Sequence, residues 1–236
     1  MLRKFINSFL YPRFLYQLFI REEHYQNLLE QKVTSNKWKK LIYFYPSIVD
    51  AKTWMEGGEG QYRDPKDFIE LRKNIDKPFI EYFKDVVAKN SRILDLGCNS
   101  GRHLTALHSA GYTELNGVDV MAEALEKFRT TFADSYSACT LHHDFFQRFL
   151  LLCNDQKFDV TYTIGATIEL VHPSFDIVRE MCRVTRRDVL MVIQPDRHAY
   201  PRFYKKEFMR NSFKLKSEKR LTESHWLYHF RREEQI

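Results

Sequence analysis

The chain has 236 residues, 44% of them hydrophobic, with a formal net charge of +6 and only four cysteines. That length and apolar content indicate a globular chain that can bury a sizeable core, either as one large domain or as a domain with a substantial extension. No apolar run is long enough to span a membrane, the early apolar stretch is broken by Pro12 and Arg13 with no small-residue cleavage site after it, and Cys98, Cys139, Cys153 and Cys182 have neither zinc-site nor disulfide-framework spacing; a reducing cytoplasm is the expected setting.

The positive charge sits at the ends. Residues 1–45 carry +5 and residues 202–232 carry +7, so the middle of the chain is mildly acidic. Such ends suit a phosphate-rich partner or an anionic membrane surface, although a solvated basic face is the commoner outcome of this pattern.

Residues 2–20 mix Leu, Phe, Ile and Tyr with Arg3, Lys4 and Arg13, a pattern of amphipathic helices that either pack on the main domain or lie on a membrane surface. A second helical piece is expected over 22–32. The segment from Trp54 to Tyr62 holds Gly57, Gly58 and Gly60 and reads as a lid or a linker. Two helices should follow, one from Pro65 to about Lys73 and one from Lys77 to Ala88. Domain organisation is accordingly expected to be a helical extension over 1–77 and a main domain over 78–236.

From Ser91 onward strand and helix patterns alternate, which predicts an α/β fold with a doubly wound, mostly parallel sheet. The predicted strands are Arg92–Leu96, Leu115–Asp119, Ser137–Leu141, Phe158–Ile164 and Asp188–Gln194. Phe213–Leu221 and Ser224–Arg231 should form a closing antiparallel pair after a helix over Tyr200–Arg210, making seven strands in all. Helices are expected from Gly101 to Ala110, ending at Gly111, and from Met121 to Phe132.

The first strand carries the most chemical information. Ile93-Leu94-Asp95-Leu96-Gly97-Cys98-Asn99-Ser100-Gly101 is an apolar run that ends in an acid and then in spaced glycines, the pattern of a buried strand turning sharply into a helix beside a ligand. A dinucleotide fingerprint would need Gly at Asn99 and Arg102, and a phosphate loop would need Lys and Ser/Thr after Gly101, where Arg102 and His103 stand. Neither fits. Asp119 closes the second strand 24 residues after Asp95, close to the ~20-residue interval at which an acid takes a ribose hydroxyl in nucleotide-binding βαβ units.

The element Asp95-x-Gly97-x-x-x-Gly101 resembles the first motif of the class I S-adenosylmethionine-dependent methyltransferases, a seven-strand, Rossmann-like superfamily, and the resemblance extends over about residues 78–232. It implies S-adenosyl-L-methionine as cofactor and S-adenosyl-L-homocysteine as product. Asp95 would face the cofactor's ammonium through water, with Gly97, Asn99 and Gly101 shaping the loop. Asp119, followed by Val120, would take the ribose; Asp144 would take the adenine amino group, with Phe145 against the ring. The family commonly has glycine where Asn99 stands, and Asn tolerates left-handed backbone angles better than most residues.

Gly165 to His172 occupies the place where acceptor and methyl group usually meet in this family. His172 is the candidate general base, because histidine titrates near neutrality, and Glu169 is its candidate support. Holding a loop is the alternative role for His172. Glu169 and His172 form a single Glu-x-x-His pair, and His142 with His143 has no complementary ligands, so no metal is expected. His142 and His143 are expected on the polar rim after the third strand.

The Asn/Asp-Pro-Pro-Tyr element of adenine-modifying relatives and a Pro-Cys nucleophile are both absent, which disfavours nucleobase chemistry. Three functions remain: methyl transfer to an oxygen or nitrogen of a small-molecule acceptor such as a metabolite, sugar or lipid-linked precursor; RNA methylation through the basic ends; and cofactor binding without turnover. The residues do not fix the acceptor or the oligomeric state.

Overall fold

The computed structural model describes residues 65–165, 168, 171, 175–194 and 202–233, with the side chains of its first helix described from Arg72 onward. The expected helices before residue 65, the glycine-rich segment over 54–62, Glu169 and His172 lie outside the described residues.

The described elements begin with one long helix, α1 (Pro65–Val86), not the expected pair broken near Asn74. Ile75, Phe79 and Phe83 recur every four residues on one face and are buried, and Pro78 sits inside the helix. An interior proline costs about 3 kcal/mol, whereas burying two phenylalanines and an isoleucine returns ~1.5 to 3 kcal/mol each. The buried face outweighs the missing hydrogen bond, and the helix runs through.

The α/β unit follows: β1 (Ile93–Leu96), α2 (Arg102–Ser109), β2 (Leu115–Asp119), α3 (Ala122–Thr131), α4 (Ala133–Ser137), β3 (Cys139–His143), α5 (Phe146–Leu152), β4 (Phe158–Ile164), α6 (Ile177–Val184), β5 (Thr185–Ile193), α7 (Tyr204–Arg210), β6 (Phe213–Arg220) and β7 (Trp226–Arg232). They form one seven-stranded sheet in the order β3-β2-β1-β4-β5-β7-β6. The first five strands are parallel, and β7 runs antiparallel to both β5 and β6. Strand order reverses between β1 and β4, so the carboxyl ends of these strands flank the crevice where open α/β sheets bind ligands.

The third strand begins two residues later than expected, because α4 carries the helical run through Ser137. His142 and His143 are therefore strand residues, paired with Val118 and Asp119, and do not follow the strand as a rim. The fifth strand is longer than expected and starts at Thr185 directly after α6.

Each face of the sheet carries a core. Phe149, Phe158, Ile177, Met181, Phe208 and Phe230 pack on one side, under α5, α6 and α7. Phe79, Phe83, Leu104, Tyr112, Phe128 and Tyr162 pack on the other, under α1, α2 and α3. Such two-sided cover explains why β4 is buried continuously from Phe158 to Thr163, without alternation. The β6 edge shows Lys214, Lys216 and Lys219 to solvent, a charged edge that resists pairing with another strand. Among the described residues, no helix is long and apolar enough to cross a membrane.

Candidate functional site

The turn after β1 is held in a left-handed shape at every second residue. Gly97, Asn99 and Gly101 have φ of 87°, 47° and 71°. Asn99 supplies the conformation that glycine would give, and its side-chain Oδ1 accepts the Ser100 N–H at 2.7 Å, a local bond that glycine could not make. The backbone N–H groups of Gly97 and Cys98 both donate to Val118 O, at 3.0 and 3.1 Å, which ties the turn to β2. Gly101 could not be otherwise: a Cβ there would lie 2.2 Å from the Phe128 ring of α3. Gly117 on β2 is similarly confined, with Cys98 Sγ and Leu104 Cδ1 each 2.9 Å from where its Cβ would be.

Three acids stand at the carboxyl ends of neighbouring strands. Asp95 on β1 is buried and accepts the Tyr162 hydroxyl of β4 at 2.8 Å. Burial pushes its pKa from 3.8 up to about 7, against the pull of that hydroxyl and of the Arg102 charge. Asp119 on β2 accepts the Asn99 N–H at 2.7 Å and the Met121 N–H at 2.9 Å, one on each oxygen. Burial raises its pKa, and these backbone donors oppose the rise. Asp144, after β3, accepts its neighbour Phe145 N–H at 2.7 Å and the Arg148 Nε–H at 3.0 Å, and its own N–H donates to Asp119 O at 3.0 Å. Val120 O accepts from His143 Nε2 at 3.0 Å, while the His142 ring packs 4.6 Å from that of Phe149.

The donor and acceptor chemistry of this edge fits a nucleoside with a cationic arm. A carboxylate can accept about four bonds, so Asp119 can take a ligand hydroxyl while still holding the loop. The left-handed turn presents backbone without Cβ atoms at Gly97 and Gly101, which allows close approach of a ligand. Of the stretch after β4, Gly165, Ile168 and Val171 are described, the latter two buried; the candidate base His172 and its support Glu169 are not among them.

Several polar residues that sequence reasoning did not single out gather on the same edge. Asp76 of α1 accepts Arg102 Nε–H at 2.7 Å and His103 Nε2–H at 2.9 Å, clamping α1 to the start of α2. Burial would raise the Asp76 carboxyl, but His103 and Arg102 outweigh it and hold the carboxyl well below the usual range. Burial and the Arg102 charge lower His103 to about 4, so His103 is a neutral donor at pH 7 and Arg102 is the charged partner of Asp76. One helical turn earlier, Arg72 reaches over the end of β4 to His225 in the β6–β7 turn. No spacing rule could have found this group, because its members lie up to 153 residues apart. Among the described residues, no group of three or more His, Cys, Asp or Glu side chains could hold a metal ion.

Residues 93–188 match the family described as "Methyltransferase domain". The match runs from β1 into β5, and the solved structures that follow are similar to this chain in fold. Among solved structures, the PH0226 protein from Pyrococcus horikoshii OT3 is similar at 14% identity and a TM-score of 0.59, over 84% of this chain and 99% of that one. Magnesium protoporphyrin IX methyltransferase (ChlM) from Synechocystis PCC 6803 with bound SAM is similar at 13% identity and a TM-score of 0.60, over 80% and 100%. The cyclase SpnF is similar at 11% identity and a TM-score of 0.56, over 66% and 81%. No curated protein matches the chain in sequence.

Proposed function

We propose that this chain binds S-adenosylmethionine at the carboxyl edge of β1, β2 and β3 and transfers its methyl group to an oxygen or nitrogen of a small-molecule acceptor. The observation that carries the reading is the row of Asp95, Asp119 and Asp144 on three adjacent strand ends, joined by the left-handed turn through Gly97, Asn99 and Gly101. In this reading Asp95 faces the ammonium through water, Asp119 takes the ribose diol beside Val120, and Asp144 takes the adenine amino group with Phe145 against the ring. The cofactor supplies an activated methyl group. The protein's own task is to hold acceptor and donor in line and exclude water, an alignment worth ~7 to 11 kcal/mol of a barrier.

For a hydroxyl acceptor, His172 takes the proton, with Glu169 supporting the imidazole. Residues 1–77, upstream of every cofactor residue, contribute acceptor specificity. RNA is the second reading, favoured by the exposed Lys206, Lys216 and Lys219 beside the β6 edge; it requires RNA affinity that falls steeply with salt. Binding without methyl transfer is a third, since a fold hosts several chemistries and the similar protein SpnF carries the name of a cyclase.

Calorimetry with S-adenosylhomocysteine tests the cofactor half of the proposal, and absence of heat would end it. Single-turnover methyl transfer tests the rest: His172→Ala should lose ~10² to 10⁴-fold in rate with cofactor affinity intact. A variant that turns over at the wild-type rate removes His172 from the chemistry.

A further inference from the structure

The acid at the β3 end of the row does not stand alone. Only 14% of the Asp144 side chain is exposed, whereas that of its charge partner Arg148, one turn further on in α5, is 70% exposed. Arg148 Nε lies 2.8 Å from Oδ1 and 3.0 Å from Oδ2 of Asp144, so a single N–H is shared across the carboxylate. The two Nη groups, which carry four of the five guanidinium N–H bonds, have no partner among the described residues.

The surroundings hold this pair in register with the rest of the edge. The Asp144 N–H donates to Asp119 O at 3.0 Å, and His143 Nε2 lies 3.0 Å from Val120 O, so the ends of β2 and β3 are tied together. The acid read as the ribose acceptor and the acid read as the base acceptor therefore keep a fixed spacing. The nearest main-chain donor, the Phe145 N–H, is spent on Asp144 Oδ1 at 2.7 Å, and Arg148 brings donors from a side chain instead.

A carboxylate alone can read an amino group and nothing beside it. A carboxylate flanked by a guanidinium offers an acceptor and a donor together. Adenine has the complement: its N6 amino group donates, and the ring nitrogen next to it accepts, N1 on one edge and N7 on the other. We propose that Arg148 is a specificity-determining residue of the cofactor site, donating from Nη to the ring nitrogen beside the amino group that Asp144 accepts. The inference rests on the S-adenosylmethionine reading and extends it from the amino group to the ring of the base.

The test is calorimetry on the full chain with S-adenosylhomocysteine and its 1-deaza and 7-deaza analogues, each of which keeps the amino group and lacks one ring nitrogen. An ion pair with one partner so exposed adds little to folding, so Arg148→Ala should keep the wild-type urea midpoint. It should bind S-adenosylhomocysteine about three- to tenfold more weakly, the worth of one net hydrogen bond. One analogue should bind the wild-type chain more weakly by a similar factor and lose nothing further in Arg148→Ala; that analogue identifies the nitrogen as N1 or N7. Arg148→Lys should recover only part of the affinity, since it keeps the charge without the planar fork. Losses of the same size for all three ligands would show that Arg148 acts only by orienting Asp144, and tighter binding in Arg148→Ala would make it a plug over the acid. Either result overturns the inference, as does an unchanged affinity. A wild-type chain that does not bind S-adenosylhomocysteine at all would end the cofactor reading itself.

Discussion

The two halves of the carboxyl edge are built in different ways. On the β1–β3 side each candidate residue is written in or beside the strand that positions it: Asp95 is next to last in a buried strand, Asp119 ends the next, and Asp144 follows the third by one residue. On the β4–β7 side Arg72, Gln194 and His225 come from α1, the end of β5 and the β6–β7 turn, and meet only once the sheet has closed. A cofactor of fixed shape can be met by short local words repeated on successive strands. A group assembled across the fold has no such word, so it can vary without disturbing the first half.

The sharpest way to break that comparison is a pair of glycine substitutions. In Gly101→Ala the new methyl would lie 2.2 Å from the Phe128 ring, on a backbone with φ of 71°. In Gly165→Ala, with φ of 87°, the nearest atom would be the Arg72 guanidinium at 3.7 Å. The first adds overpacking to left-handed strain and should cost about 2 to 5 kcal/mol; the second carries the strain alone, at about 1 to 2 kcal/mol. Urea unfolding of both variants measures the difference. Equal losses would mean that the turn after β1 is no more confined than the end of β4.

An effect of comparable size is expected from Asp119→Ala. This variant frees the Asn99 and Met121 N–H groups together, charge-assisted bonds worth ~1.5 to 3 kcal/mol each, and removes the proposed ribose acceptor. Both unfolding stability and S-adenosylhomocysteine affinity should fall. A loss of affinity with full stability would show that water replaces Asp119 at the loop, and unchanged affinity would take Asp119 out of the site.

How far the sequence disclosed this arrangement follows from burial. The strand limits of β2 and β4 were legible because their buried runs end in Asp119 and Ile164 next to turn residues. The left-handed position of Asn99 was legible because few other side chains accept it. The start of β3 was misread: that edge strand is half-exposed and polar, so nothing in Cys139–His143 separates it from the helical run before it. The continuity of α1 was misread over residues 74–76, where Arg102 and His103, 26 and 27 residues later, hold Asp76 as a half-buried anchor. The cluster of Arg72 with His225 was invisible for the same reason at longer range.

The finest test concerns protons, through two buried aspartates with opposite shifts. Asp188 on β5 accepts from His229, Arg231 and Arg187; burial would raise it, but these donors bring it from 3.8 to about 2. Its folded pKa is depressed, so its contribution to stability is complete above the unfolded value and is lost as pH falls from about 4 through about 2. Asp95 behaves in reverse. Burial raises it to about 7, so the folded chain holds a proton there that the unfolded chain has released, and stability declines as pH rises from about 4 to about 7. If the carboxylate form of Asp95 faces the cofactor's ammonium, binding must expel that proton. Affinity for S-adenosylhomocysteine should then rise by up to about tenfold per pH unit between pH 5 and 7 and level off above, with one proton released at the acid end. Calorimetry in buffers of different ionisation enthalpy counts the proton. Asp95→Asn should bind weakly with no slope over this window; a slope that persists in that variant would assign the titration to another group, and a flat wild-type profile would show that Asp95 does not change its charge when the cofactor binds.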